Sequence, residues 1–185
     1  MFKSETINKQ NISNNFMKEM FNAYAKYLRY LRPHNPKLQE LKDGLQILNA
    51  AIEEVNSAYN DPVTGFEIFL SDDIQVGFAF IGMSPNAYGI NDIYIQEFCI
   101  YEQFQRKGYG TKAVEQITQK WPDYDISLFI LKENDPAKKF WNKTMENLGY
   151  REKVREGMII PPDSDIDPEG AGKEEPITFF QYWKK

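Results

Sequence analysis

Cysteine and histidine are almost missing from this chain: its 185 residues include one of each, Cys99 and His34. A lone thiol excludes an internal disulfide framework and suits a reducing compartment. Without clustered Cys and His, and without a carboxylate run spaced like a calcium loop, no metal site is expected. Long apolar runs are lacking as well, and none approaches the roughly 20 residues of a membrane span. The opening Met1-Phe2-Lys3-Ser4-Glu5-Thr6 lacks the basic-then-apolar profile of a secretory signal. There is no basic excess either. A net charge of −5 argues against nucleic acid as a partner and leans toward a cationic or amine-bearing one. These absences predict a cytoplasmic protein that binds neither nucleic acid nor membrane. The length predicts one domain over residues 1–185, a monomer or homodimer. What the chain has in plenty is aromatic side chains, 15% of the total, enough to line a cleft as well as a core.

Periodicity divides the chain. Phe16, Met17, Met20, Phe21, Tyr24, Tyr27, Leu28 and Leu31 recur at helical spacing after Ser13, a plausible N-cap. Pro33 and Pro36 then break the helix. A second helix is predicted on Leu38, Leu41, Leu45, Leu48, Ile52, Val55 and Tyr59, closed by Asn60-Asp61-Pro62. Strands follow at 65–70 and 74–81, joined by a hairpin at Ser71-Asp72-Asp73. After a looser stretch with Pro85 and Gly89 comes a strand at 93–100. A helix is expected from about Gly108 to Lys120, a strand at 125–131, a helix from Pro136 to about Asn147, and final strands at 149–160 and 177–183. The stretch from Pro161 to Pro176, carrying Asp163, Asp165, Asp167, Glu169, Glu174 and Glu175, reads as a solvated surface loop. The order of elements indicates an α+β sheet protein with one strand–helix crossover.

The segment richest in chemistry is Phe98-Cys99-Ile100, a short spacer, then Gln105-Arg106-Lys107-Gly108-Tyr109-Gly110-Thr111. A strand ends, a loop with two glycines turns, and a helix begins. Unpaired N–H groups and the positive dipole end make a helix N-terminus a phosphate site. Glycines let phosphate oxygens approach the backbone, and Arg106 and Lys107 add charge. A plain tight turn has the same glycines. The spacing fits neither the dinucleotide fingerprint, because Ala113 stands at the third glycine, nor a Walker loop.

Gln105-x-x-Gly108-x-Gly110 resembles the Gln/Arg-x-x-Gly-x-Gly/Ala signature of GNAT acetyltransferases, where it cradles the pyrophosphate of coenzyme A. Asn134-Asp135-Pro136-Ala137-Lys138-Lys139-Phe140-Trp141, followed by Leu148-Gly149-Tyr150, is similar to a second family segment. Glu97-Phe98, Trp121-Pro122 and Phe140-Trp141 further resemble a bacterial subgroup of the family. The resemblance covers 66–150. It implies a GNAT fold: a central mixed, mostly antiparallel sheet flanked by helices, with two N-terminal helices and an acyl-CoA cleft at splayed fourth and fifth strands. It also implies acetyl-CoA as cosubstrate, an N-acetyltransferase activity by direct attack in a ternary complex, and cofactor contacts from Phe98, Cys99, Ile100, Gln105, Arg106, Lys107, Gly108, Tyr109, Gly110, Thr111, Asn134 and Trp141. The acceptor is an amine, whether a small amine, polyamine, aminoglycoside or peptide.

Acetyl transfer needs a base for the acceptor ammonium and a proton for the leaving thiolate, but no nucleophile on the protein. Glu97 is the base candidate, since the family often places an acidic residue there and burial raises a carboxyl pKa. Anchoring of a neighbouring loop is the competing role. Tyr94, Gln96 and Tyr101 are further candidates to line the site. Cys99 reads as a buried filler and His34 as an exposed loop residue. The family's frequent tyrosine acid falls on Trp141, and indole cannot donate as a phenol does. A CoA-binding protein without turnover is therefore the alternative reading.

Overall fold

A computed structural model describes residues 1–7, 13–60, 64–84, 92–155 and 177–184. The strands are β1 (Phe2–Ile7), β2 (Thr64–Ser71), β3 (Ile74–Ser84), β4 (Asp92–Ile100), β5 (Asp125–Leu131), β6 (Tyr150–Arg155) and β7 (Ile177–Lys184). The helices are α1 (Asn14–Leu31), α2 (Pro36–Gln39), α3 (Gly44–Asn60), α4 (Tyr109–Lys120) and α5 (Asp135–Asn147). The strands form one sheet in the order β1-β2-β3-β4-β5-β7-β6. Among the described strands only β4 and β5 run parallel, and α4 supplies the crossover between them. This is the α+β protein with a strand–helix crossover that the order of elements indicated, and the mixed, mostly antiparallel sheet that the resemblance implied.

Each helix has the face its sequence dictates. Met20, Tyr24 and Leu28 recur every four residues and are buried on α1, as are Ile47, Ala51 and Val55 on α3. They pack against Phe66, Ile68, Phe78 and Phe80 on one face of the sheet. Ala113, Val114 and Ile117 of α4, with Trp141 and Met145 of α5, cover the other face over Val76, Ile93, Ile95 and Ile126. Ser13 caps α1 by accepting from the Phe16 N–H at 3.1 Å, and Asn134 caps α5 by accepting from Ala137 at 3.2 Å.

Several boundaries differ from the sequence expectation. The N-terminal residues form β1, an edge strand paired with β2; six residues with alternating charge give little apolar signal. The second expected helix is two helices, because Asp43 accepts from the N–H groups of Leu45 and Gln46, at 2.9 Å each, and starts α3 afresh. Strand β3 runs on to Ser84 rather than ending at Ile81. The hairpin at Asp72 and Asp73 is present, with φ of 50° and 62°. The loop with Pro85 and Gly89, the Asp61-Pro62 breaker, residues 156–160 and the acidic stretch from Pro161 to Pro176 lie outside the described residues.

Candidate active site

The site begins at an irregularity in β4. Phe80 of β3 pairs with Glu97, but the next residue, Ile81, pairs with Ile95, so Gln96 is an extra residue on β4. Such a bulge interrupts alternation and bends the strand. Ile93 and Ile95 before it, and Phe98 and Ile100 after it, all join the α4–α5 side of the core. Glu97, Cys99 and Tyr101 are thereby turned to the α1 side. The bulge has a second effect. Strand β4 pairs with β5 only from Asp92 to Ile95 against Asp125 to Leu128. From Gln96 onward its edge toward β5 has no strand partner among the described residues, and a cleft of about 1450 Å³ opens there. Its walls include residues 95–101 of β4 and its end, and Leu128 to Leu131 of β5.

Glu97 faces the cleft yet is largely enclosed by protein. The Tyr24 hydroxyl donates to its Oε1 at 2.7 Å. Tyr24 is 2% exposed and held by a stack on Phe80 with ring centres 5.3 Å apart. Burial pushes the Glu97 carboxyl up to about 7, against the opposing hydrogen bonds of Tyr24 and Tyr27; the Glu54 charge adds to the rise. The neighbouring thiol of Cys99 is pushed by burial, and then by the Glu97 charge, up to about 12. It remains a neutral thiol at physiological pH.

The loop after β4 is built by its own side chains. Gln105 donates from Nε2 to the Ile100 carbonyl at 2.9 Å, tying the loop to the strand end. Arg106 and Gly108 adopt left-handed φ of 59° and 80°, which aims the chain into α4. Among the described residues no side chain caps that helix, which leaves its first N–H groups open to an external acceptor. The two glycines differ in purpose. A Cβ on Gly108 would meet nothing within 4 Å, whereas one on Gly110 would lie 2.9 Å from the Phe140 ring. Gly108 serves conformation; Gly110 lets α4 pack against α5.

Of the expected contacts, Glu97, Phe98, Cys99, Ile100, Gln105, Arg106, Gly108, Gly110, Thr111, Asn134 and Trp141 border the cleft. Lys107 and Tyr109 do not. The Lys107 ammonium donates to the Gln103 carbonyl at 2.9 Å, and the Tyr109 ring packs on Phe2 and Phe104. Gln96 and Tyr101 border the cleft, while Tyr94 packs edge-on against Phe129 on the sheet. Trp141 is 5% exposed and sits edge to face with Phe98 at 5.0 Å. His34 lies in a short turn, Arg32–His34, and does not itself line the cleft, although Leu31 and Asn35 on either side do. Sequence reasoning missed the hold of Tyr24 and Tyr27 on Glu97. Its trace in the sequence is two tyrosines three apart on the buried stripe of α1.

A bulged strand parting from its parallel neighbour, a glycine turn feeding an uncapped helix, and a carboxyl at the parting point define an acyltransferase-type cleft. The chain belongs to the GNAT acetyltransferase family, whose model matches residues 17–146. No curated protein sequence matches it. Its fold is similar to that of a Pyrococcus horikoshii protein (18% identity, TM-score 0.61, 98% of this chain and 97% of that one). It is also similar to the PaiA N-acetyltransferase of Thermoplasma acidophilum, solved with coenzyme A (12% identity, TM-score 0.56, 99% of each chain). A third likeness is to the diaminobutyrate acetyltransferase EctA of Paenibacillus lautus, solved with L-2,4-diaminobutyric acid and coenzyme A (9% identity, TM-score 0.57, 98% and 94% of the two chains). Among the described residues no helix is long and apolar enough to cross a membrane.

Proposed function

We propose that the chain is an acetyl-CoA-dependent N-acetyltransferase in which Glu97 takes the proton from a primary amine. The observation that carries this reading is the position of Glu97: at the bulge, beside the strand edge without a partner, with a carboxyl poised near neutrality. The residues present suit coenzyme A. The free edge of β4 from Phe98 to Ile100 offers main-chain groups to the pantetheine arm. The open N–H groups at the start of α4, with Arg106, suit the pyrophosphate. Asn134 uses its oxygen to cap α5 and keeps its amide N–H groups for the cleft. The acetyl thioester supplies the activated carbonyl.

In the proposed step Glu97 accepts a proton from the acceptor ammonium, and the freed nitrogen forms a bond to the acetyl carbon. The carbon–sulfur bond breaks, the new amide nitrogen sheds its second proton to solvent, and the thiolate takes up a proton. Trp141 has no acidic O–H to give, so that proton comes from another hydroxyl on the wall or from water.

Calorimetric titration with acetyl-CoA, followed by amine-dependent release of free thiol, tests the assignment. Micromolar binding and thiol release that needs an amine are expected. Trp141 favours one second reading, a CoA-binding protein without turnover. Tight binding with no transfer to any amine would select it.

A further inference from the structure

The cleft passes through the sheet, so its two mouths are chemically distinct. The α4 mouth is the glycine loop. The α1 mouth is bordered by Glu19, Asn22, Lys26, Arg29 and Tyr30. Lys26 and Arg29 are exposed, and among the described residues neither side chain makes an ion pair or a side-chain hydrogen bond. Glu19 accepts from the neutral amide of Asn15 at 2.8 Å and keeps its charge, which leaves this rim with one net positive charge. Two uncommitted cations are an odd rim for a site whose substrate is itself an ammonium. They repel an acceptor that carries positive charge alone. They suit an acceptor that carries an anion beside its amine, because Arg and Lys form their strongest hydrogen bonds with carboxylates.

We propose that the acceptor is a small amino acid, its carboxylate held by Lys26 and Arg29 while its amine faces Glu97. This rests on the acetyl-transfer reading above. Lys26 and Arg29, three positions apart, are neighbours on the surface of α1 and border the same cleft that Glu97 faces. The carboxylate would orient the amine as well as bind, which fixes the attacking nitrogen near the strand gap. Polyamines and aminoglycosides offer only cations and would leave Lys26 and Arg29 unpaired.

The test is calorimetric titration of the CoA-saturated protein with matched pairs: L-lysine against cadaverine, and L-alanine against ethylamine. Each pair differs by the carboxylate. At least one acid is expected to bind ten-fold or more tightly than its amine. The Lys26→Ala/Arg29→Ala variant, and Lys26→Gln alone to a smaller degree, should erase that preference while leaving CoA affinity unchanged. Equal affinity within both pairs, tighter binding of the amines, or no binding by either acid would overturn the proposal. An acid that binds with the expected preference but is never acetylated would uphold this acceptor chemistry and count against transfer.

Discussion

Glu97 is a carboxyl that the fold raises rather than lowers, and the sign has two separable consequences. Its proton is retained until about pH 7 in the folded chain, against an ordinary value of 4.5. The base role proposed for it needs the ionised form, so the transfer rate should climb with pH to a plateau above about 7. Glu97→Gln should remove that limb and lower kcat by roughly a hundred-fold or more. Stability runs the other way. The folded state binds the extra proton between pH 4.5 and 7, so Glu97 costs stability as pH rises through that window, by roughly 3 kcal/mol when complete. Glu97→Gln should therefore stabilise the chain at pH 8 and lose that advantage below pH 4.5, as denaturant melts at the two pH values would read. A variant less stable at pH 8 would mean that the carboxylate is well solvated. Tyr24 is the positioning partner of this group. Tyr24→Phe removes the 2.7 Å donor to Oε1, and should move the rising limb of the rate profile upward by about one unit. A limb that stays in place would reduce Tyr24 to a packing residue.

At the scale of elements the glycines divide the labour of the cleft. Gly77 of β3 sits where the end of β4 crosses closest: an added Cβ would lie 2.2 Å from the Cys99 carbonyl oxygen and 2.9 Å from Ile100. The Tyr101 N–H to Val76 carbonyl bond, 2.9 Å, closes the same corner. Gly77→Ala must displace the strand end proposed above to hold the cofactor, so it should lower stability and acetyl-CoA affinity together. Gly110→Ala presses on Phe140 and should cost about 1–3 kcal/mol by overpacking. Gly108→Ala has room for its methyl group and only the left-handed backbone to suffer, about 1 kcal/mol. Thermal melts would rank Gly77→Ala worst and Gly108→Ala mildest. The glycine pattern was legible in the sequence as a motif, but its reasons were not. A linear string shows that residues 108 and 110 are small, not that Phe140, thirty positions on, packs against one of them. The bulge had a trace: Ile93 and Ile95 keep one parity, Phe98 and Ile100 the other. A period that slips by one inside a single strand is the sign of an inserted residue. The turn of Glu97 toward α1 follows from that slip.

The whole molecule depends on how distant segments close the sheet, and this was least visible beforehand. Strand β1 has no apolar alternation because part of what secures it is polar. Thr6 donates to Glu67 Oε1 at 2.6 Å, and Lys120, at the end of α4, donates to the same oxygen at 2.7 Å. Three segments spanning 114 positions of chain, β1, β2 and α4, meet at a carboxylate only 1% exposed. Its other oxygen, Oε2, is buried without a partner among the described residues, so the compensation of this charge rests heavily on Lys120. Removing one partner of a buried pair strands the other charge, a larger loss than the pair's own worth. Lys120 is about one-third exposed, so solvent softens the effect; Lys120→Met should cost roughly 2 kcal/mol. The same argument gives a sharper consequence. If the loss comes from the stranded carboxylate, then neutralising it should repair the damage, and Glu67→Gln/Lys120→Met should recover most of the stability lost by Lys120→Met alone. Denaturant unfolding of the four members of this cycle measures the coupling directly. Additive losses would show that Lys120 stabilises α4 by contacts of its own, such as its place 5.0 Å from the Trp121 ring, and that Glu67 is held without it.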